Sequence, residues 1–325
     1  MASAESVAAV IEAGGAHVPA LLERLETRLA EVAASHGTVL GEHAGATISA
    51  GGKRLRPLLV FVAAGPPADG DGAGILRAAV AVELIHSATL VHDDVLDAAS
   101  LRRGVPTVVA TAGRGAATAT GDLLFARAFA ELAGNGRADE IRVLSAASSA
   151  LAEGELLQRA DAWNAAVSLE RYLRRCELKT ARLFEAACRL GALEGGGAPE
   201  ELGAFGLRIG LAFQLLDDVL DVSGPSERTG KQRGTDLLDG TVTLPFILAR
   251  ERDGALAALD PRSIDSAVVA EDVCDRIAAT GALDDARARA LEMVNEAKAG
   301  LPDGLSARQG HALELVATGV VARYA

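Results

Sequence analysis

Two apolar stretches of the chain close on the same acidic pattern. Ile85-His86-Ser87-Ala88-Thr89-Leu90-Val91-His92 runs into Asp93-Asp94-Val95-Leu96-Asp97, and Phe213-Gln214-Leu215-Leu216 runs into Asp217-Asp218-Val219-Leu220-Asp221. On a helix, residues three and four apart share a face. Asp93 and Asp97 therefore point the same way with Asp94 beside them, and Asp217, Asp221 and Asp218 repeat the arrangement. Like charges at that spacing repel and destabilise a helix. One such triplet reads as a solvated helix end. Two, each ending an apolar helix, read as a cavity that gathers divalent cations between two helix ends.

Half of the 325 residues are hydrophobic, so a large core is expected, and no linker-like run divides the chain; the reading is one domain over 1–325. Alanine and leucine are abundant and aromatics make up only 3%, which favours helices over strands and gives an all-α expectation. A net charge of -12 argues against a nucleic-acid partner. Cys176, Cys188 and Cys274 are odd in number and lack metal-ligand spacing, which fits a reducing cytoplasm better than a disulfide framework. The N-terminus has no basic segment followed by an apolar run, and no uncharged apolar span reaches transmembrane length. Loose contact with a membrane surface stays open.

Along the chain, residues 5 to 35 read as one amphipathic helix. Gly51-Gly52-Lys53-Arg54-Leu55-Arg56-Pro57 then places two glycines before three bases, a candidate anion site, although short basic clusters are commonly solvated helix starts. After a loop over Pro66 to Gly74, a helix from Ala73 to about Ala98 carries the first triplet. Leu101-Arg102-Arg103-Gly104-Val105-Pro106-Thr107 follows directly. Acids beside paired arginines suggest a site for a metal-chelated polyanion such as diphosphate, because the arginine fork grips phosphate oxygens; a plain surface ion-pair cluster is the bland alternative.

Gly121-Asp122 lies on a helix ending near Gly134-Asn135-Gly136, and further helices cover 139 to 160, from about Ser168 through Lys179-Thr180-Ala181, and from Pro199 to about Val222 with the second triplet. A polar loop from Ser223 to Asp236 is expected to bring Lys231 and Arg233 towards the acids. Thr243-Leu244-Pro245 restarts a helix, and 261 to 322 reads as three more. Asp284-Asp285 is a decoy, standing in a helix first turn without a third acid. Dinucleotide, Walker, nucleophile-elbow and zinc-protease motifs are absent from the sequence. His86 and His92 suit hydrogen bonding better than metal ligation, since carboxylates with phosphates favour a hard cation such as magnesium.

Taken in order over roughly residues 45 to 250, these pieces resemble the trans (all-E) isoprenyl diphosphate synthases, or polyprenyl synthetases. The matching set is Gly51 to Pro57, the first triplet with Arg102-Arg103-Gly104-x-Pro106-Thr107, Gly121-Asp122, Lys179-Thr180, Phe213-Gln214 with the second triplet, Gly230-Lys231, and Asp239-Gly240-x-x-Thr243-Leu244-Pro245. The resemblance implies a bundle of mostly antiparallel helices around a deep central cavity, usually a homodimer. It also implies Mg2+ held by Asp93, Asp97 and Asp217, with Asp94, Asp218 and Asp221 as ligands or supporting groups. Arg102, Lys179 and Lys231 would take the diphosphate of an allylic substrate. Lys53, Arg56, His86 and Arg103 would take that of isopentenyl diphosphate, and Gln214 and Thr180 would lie near the reacting carbons. One position departs from the pattern: the family often has lysine where this chain has Thr241.

In such a family, side chains one and two turns before Asp93 would point below the metals, each turn adding about 5.4 Å. Ala88, Thr89, Ile85, Val82 and Ala81 include no aromatic residue, which predicts a product longer than farnesyl, with Phe125 or Phe129 as alternative floors. The competing readings are a geranylgeranyl diphosphate synthase, a terpene cyclase and a non-catalytic subunit of a heteromeric synthase. A cyclase would carry Asn, Ser or Glu in its second metal motif, and a non-catalytic subunit tends to lose acids or bases; both triplets are intact here.

Overall fold

The alanine- and leucine-rich sequence is realised as helix almost throughout. The computed structural model describes residues 2–35, 37–49, 52–68, 70–102, 104–224 and 233–322; Gly51, Arg103, Gly230 and Lys231 of the motifs above lie outside the described residues. The helices in chain order are α1 (Ala2–Gly14), α2 (His17–Ala34), α3 (Thr38–Ser49), α4 (Leu55–Ala64), α5 (Ala73–Leu96), α6 (Val108–Ala133), α7 (Ala138–Asp161) and α8 (Leu169–Cys176). A π-helical turn, Glu177–Ala181, joins α8 to α9 (Arg182–Gly195). Then come α10 (Pro199–Ser223), α11 (Thr235–Leu238), α12 (Leu244–Arg252), α13 (Gly254–Ala258), α14 (Ala267–Ala279), α15 (Ala282–Ala299) and α16 (Ala307–Ala322). Among the described residues the extended pairing is confined to a hairpin, β1 (Leu101–Arg102) against β2 (Val105–Pro106).

The single helix expected over 5 to 35 is two helices. Gly15, at φ 100°, turns the chain between α1 and α2 in a conformation that side chains disfavour. The all-α expectation holds. By its internal contacts the chain groups into two compact units. The first comprises Met1–Ser148, Leu183–Gly206 and Gly300–Val316, and the second comprises Ser149–Arg182, Leu207–Ala299 and Ala317–Ala325.

In the first unit α5 is the core helix, packed by α2, α4 and α6. Ala78 to Ile85 are all buried, and so is the whole of α4 from Pro57 onward. By length and composition α5 could cross a membrane, although Arg77 and Glu83 interrupt it; two thirds of its most apolar window is buried within the protein. The Gln309 side chain on α16 donates to the carbonyls of Val62 and Ala63, at 3.2 and 2.8 Å, and so satisfies the C-terminal end of α4. α6 is broken at Gly113.

In the second unit α12 packs on α8, α14 and α15, and α11 packs on α14. Asp284 and Asp285 stand in the first turn of α15, as the decoy reading expects, and are engaged by Arg287 and Arg252.

Candidate active site

Each aspartate triplet is built to one plan, with its middle acid buried and its outer acids less so. In the first unit Asp94 is 5% exposed, while Asp93 is half-buried and Asp97, the C-cap of α5, is exposed. The chain then turns through Ala98, at φ 50°, into the β1–β2 hairpin. Thr107 locks that turn: its hydroxyl donates to the Ala99 carbonyl at 2.5 Å and accepts the Ala110 amide at 3.2 Å as the N-cap of α6. The hairpin folds Arg102 back onto Asp94, Nε to Oδ1 2.7 Å. Burial raises the Asp94 carboxyl above the usual range, and Arg102 works against that rise. Arg102, predicted to grip a phosphate, thus spends this bond on the triplet itself.

Gly121-Asp122 acquires a structural reason. The His92 ring stacks on Phe125, centroids 5.7 Å apart, and lies over Gly121 so closely that a Cβ there would fall 2.2 Å from Nε2. The same nitrogen is 3.4 Å from Asp122 Oδ1 and from the Thr118 carbonyl. His86, nearly two turns earlier, is half-buried.

The basic motif separates into different roles. Lys53 is exposed, and Arg56 is half-buried with its guanidinium 4.7 Å above the centre of the Phe184 ring, a cation–π contact. Arg54, the third base of the candidate anion site, turns inward to Glu26 and Glu83.

In the second unit Asp218 is 3% exposed, with Asp217 and Asp221 half-buried. Tyr172 on α8 donates its hydroxyl to Asp218 Oδ2 at 2.6 Å, and Gln214 donates its amide nitrogen to Oδ1 at 2.7 Å. Thr180 completes the series by donating to the Gln214 side-chain oxygen at 2.7 Å. Burial pushes the Asp218 carboxyl well up, Asp236 adds to that, and the two hydrogen bonds oppose it. Asp221 Oδ2 accepts the Asp236 amide at 3.2 Å and its carbonyl accepts from Gly234 at 2.9 Å, so this acid fixes the start of α11. Arg233 lies next to the second triplet, donating to the Val222 carbonyl directly after Asp221, and its guanidinium pairs with Asp275. Lys231 and Arg103 lie outside the described residues.

Lys179 and Thr180 both stand on the π-helical turn, an irregularity that propensity does not reveal and that often marks functional positions. Lys179 pairs with Glu155, which also accepts from Arg159 at 2.8 Å. Burial would raise the Glu155 carboxyl, but Lys179 and Arg159 outweigh it and hold it below the usual range. The Asp239–Pro245 segment is pinned from two sides. The Trp163 amide donates to the Gly240 carbonyl at 2.8 Å, and Arg175 donates to the Val242 carbonyl at 2.6 Å while lying 5.3 Å from the Tyr172 ring centre.

Tyr172, Glu155, Arg175 and Trp163 were missed by motif reasoning, and Arg54 was read as an anion-site base where the fold pairs it with Glu26 and Glu83. Only Tyr172 carries a sequence signal, as an aromatic residue within the otherwise charged Glu170-Arg171-Tyr172-Leu173-Arg174-Arg175 run. Among the described residues no group of three or more His, Cys, Asp or Glu side chains is gathered closely enough to hold a metal by itself. The donor chemistry nevertheless fits a hard divalent cation: each triplet offers oxygen ligands one helical turn apart.

These features define an all-α prenyltransferase with the isoprenoid synthase fold. A polyprenyl synthetase family model matches residues 38–269, and the chain belongs to the polyprenyl synthetase family. It is 43% identical over 249 residues to heptaprenyl diphosphate synthase component 2 of Geobacillus stearothermophilus, covering 74% of this chain and 77% of that one. It is 37% identical over 261 residues to the octaprenyl diphosphate synthase of Escherichia coli K12, covering 78% and 80%. Among solved structures, the polyprenyl synthase of Caulobacter crescentus CB15, complexed with calcium and isoprenyl diphosphate, superposes with a TM-score of 0.88 at 36% identity, covering 94% of this chain and 96% of that one. A decaprenyl diphosphate synthase from Rhodobacter capsulatus gives 0.84 at 32% identity, covering 99% of both chains.

Proposed function

We propose that this chain condenses isopentenyl diphosphate with an allylic diphosphate, head to tail, and makes an all-E polyprenyl diphosphate longer than farnesyl. The observation that carries the reading is the paired plan of the triplets. In each, a buried, hydrogen-bonded middle aspartate (Asp94 or Asp218) leaves the outer acids on the more exposed side. Supporting the chain length, none of Ala81, Val82, Ile85, Ala88 and Thr89 on α5 is aromatic. Three of the four relatives named above carry hepta-, octa- or decaprenyl in their names.

In this reading Asp93, Asp97 and Asp217 hold Mg2+, with Asp94, Asp218 and Asp221 as further ligands or as orienting groups. Bound magnesium supplies the charge neutralisation that makes diphosphate a workable leaving group. Arg102, Lys179 and Lys231 take the allylic diphosphate, and Lys53, Arg56, His86 and Arg103 take that of isopentenyl diphosphate. The allylic C–O bond breaks, the isopentenyl double bond attacks the cation, and a proton leaves to the departing diphosphate. Gln214 and Thr180 lie beside the reacting carbons, and preorganised donors supply most of the electrostatic stabilisation. A cytoplasmic homodimer that touches a membrane surface only to release product completes the proposal.

Incubation with isopentenyl diphosphate, magnesium and, separately, dimethylallyl, geranyl, farnesyl and geranylgeranyl diphosphates tests it through product length. No extension of any primer overturns the activity, and termination at farnesyl overturns the length. The "component 2" in the name of the Geobacillus relative favours a second reading, in which extension needs a second, different chain. Full activity of the purified chain alone removes that reading.

A further inference from the structure

The sequence sets Lys53, Arg54 and Arg56 in one basic motif, and the fold gives Arg54 a different task. Its side chain is only 11% exposed. Nε and Nη2 donate to the two carboxylate oxygens of Glu26 on α2, at 2.7 and 3.0 Å. Nη1 donates to Glu83 on α5 at 2.6 Å, and Nη2 also donates to the Ile48 carbonyl on α3 at 3.1 Å. One guanidinium thereby ties α2, α3 and α5 to the start of α4. Glu83 is 4% exposed, and Arg56 lies near enough to favour its charge.

The backbone of Arg54 is left-handed, φ 47° and ψ 36°, at the N-cap of α4. Residues with a long side chain rarely adopt that conformation, and they keep it only where the surroundings over-determine it. The clamp on Glu26 and Glu83 is such a determinant. A lysine could not replace it, because one ammonium lacks the fork that reaches two carboxylates at fixed angles. With its charge answered by two acids, Arg54 adds little attraction for a phosphate. What it does fix is the turn between Lys53, which is exposed, and Arg56, which is half-buried over the Phe184 ring.

We propose that Arg54, clamped by Glu26 and Glu83, is the positioning residue of the isopentenyl diphosphate subsite: it holds the left-handed turn that sets Lys53 and Arg56 at the separation one diphosphate requires. This rests on the assignment of Lys53 and Arg56 to that substrate. It adds a specificity device, since the clamp acts on the homoallylic partner and leaves the allylic partner untouched.

The test compares Arg54→Lys, Glu83→Gln and Glu26→Gln with Lys53→Ala and Arg56→Ala. It uses steady-state kinetics for both substrates and calorimetric titration of isopentenyl diphosphate. Small displacements of binding groups are costly, so Arg54→Lys and Glu83→Gln are expected to raise the KM and Kd for isopentenyl diphosphate about tenfold, with the KM for the allylic diphosphate within about twofold of wild type. Glu26→Gln, at the exposed end of the clamp, is expected to raise the same KM about threefold without unfolding the chain, and serves if a buried variant does not fold. If Lys53→Ala and Arg56→Ala weaken isopentenyl diphosphate binding but all clamp variants leave it unchanged, the positioning role is overturned. A parallel change in both KM values overturns it as well, since that is the mark of general structural damage. If Lys53→Ala and Arg56→Ala themselves leave binding unchanged, the subsite assignment fails, and the inference with it.

Discussion

The hydroxyl of Tyr172 lies 2.6 Å from Oδ2 of Asp218, and both residues are buried. A buried carboxylate is tolerated only where hydrogen bonds replace its water, and Tyr172 and Gln214 each satisfy one of its oxygens. The pair decides which aspartate of the second triplet faces inward, and α8 thereby sets the orientation of a motif on α10.

Replacing Tyr172 with Phe removes one donor and leaves an acceptor buried. The expected loss is about 1–3 kcal/mol of stability, read as a lower midpoint in urea unfolding. Because Asp218 is then less fixed, kcat is expected to fall, and the magnesium concentration giving half-maximal rate to rise. An unchanged midpoint and an unchanged magnesium dependence would show that the bond fixes nothing.

Gly121→Ala tests the packing of His92. A Cβ at 2.2 Å from Nε2 forces the ring off its stack on Phe125. Overpacking of this kind costs about 1–3 kcal/mol, visible as a fall in Tm of several degrees. Gly115→Ala, where a Cβ meets nothing within 4 Å, is the matched control and should leave Tm nearly unchanged.

Glu140 gives the chain a pH dependence of its own. It is fully buried, accepts a hydrogen bond from Asn135 at 2.9 Å, and is pushed up by burial and by Glu194 from 4.5 to about 8. The folded chain therefore keeps a proton that the unfolded chain has lost. Stability from this group is full below about pH 4.5 and declines as pH rises towards 8. Thermal unfolding followed from pH 5 to 8 should show this decline, and Glu140→Gln should flatten it. A variant with the same slope as wild type would remove Glu140 as the source.

Thr89→Phe tests the length reading. Thr89 is half-buried one turn before Asp93, its hydroxyl bonded to the His86 carbonyl at 2.8 Å. A phenyl ring there is expected to shorten the longest product by at least one isoprene unit, a unit being close to the rise of about 5.4 Å per helical turn. Chromatography of the dephosphorylated products checks it, and unchanged length would put the floor elsewhere.

Much of this was legible from residues alone. The helices carrying both triplets, the ends of α5 and α6 and the decoy at Asp284-Asp285 follow from local pattern, because apolar periodicity, caps and charge spacing act within a few residues. What pattern could not give are choices between equivalent local partners. Arg54 and Arg56 look alike in sequence, yet only a left-handed turn and two acids from distant helices distinguish them. The pairing of Arg102 with Asp94 depends on a hairpin, and Arg233 turns to Asp275, a partner 42 residues away. The π-helical turn at Glu177–Ala181 depends on how the helices around it pack, which no propensity scale contains.

Trp163 is the sole tryptophan of the chain. It sits at φ 63°, with its indole ring against Gly240, where a Cβ would come within 2.3 Å of the ring. Its amide is bonded to the carbonyl of that same glycine. The protein thus carries a built-in optical probe: its indole emission originates at one site, in contact with the Asp239–Pro245 segment. A change in that segment's packing becomes readable in unlabelled protein through its fluorescence.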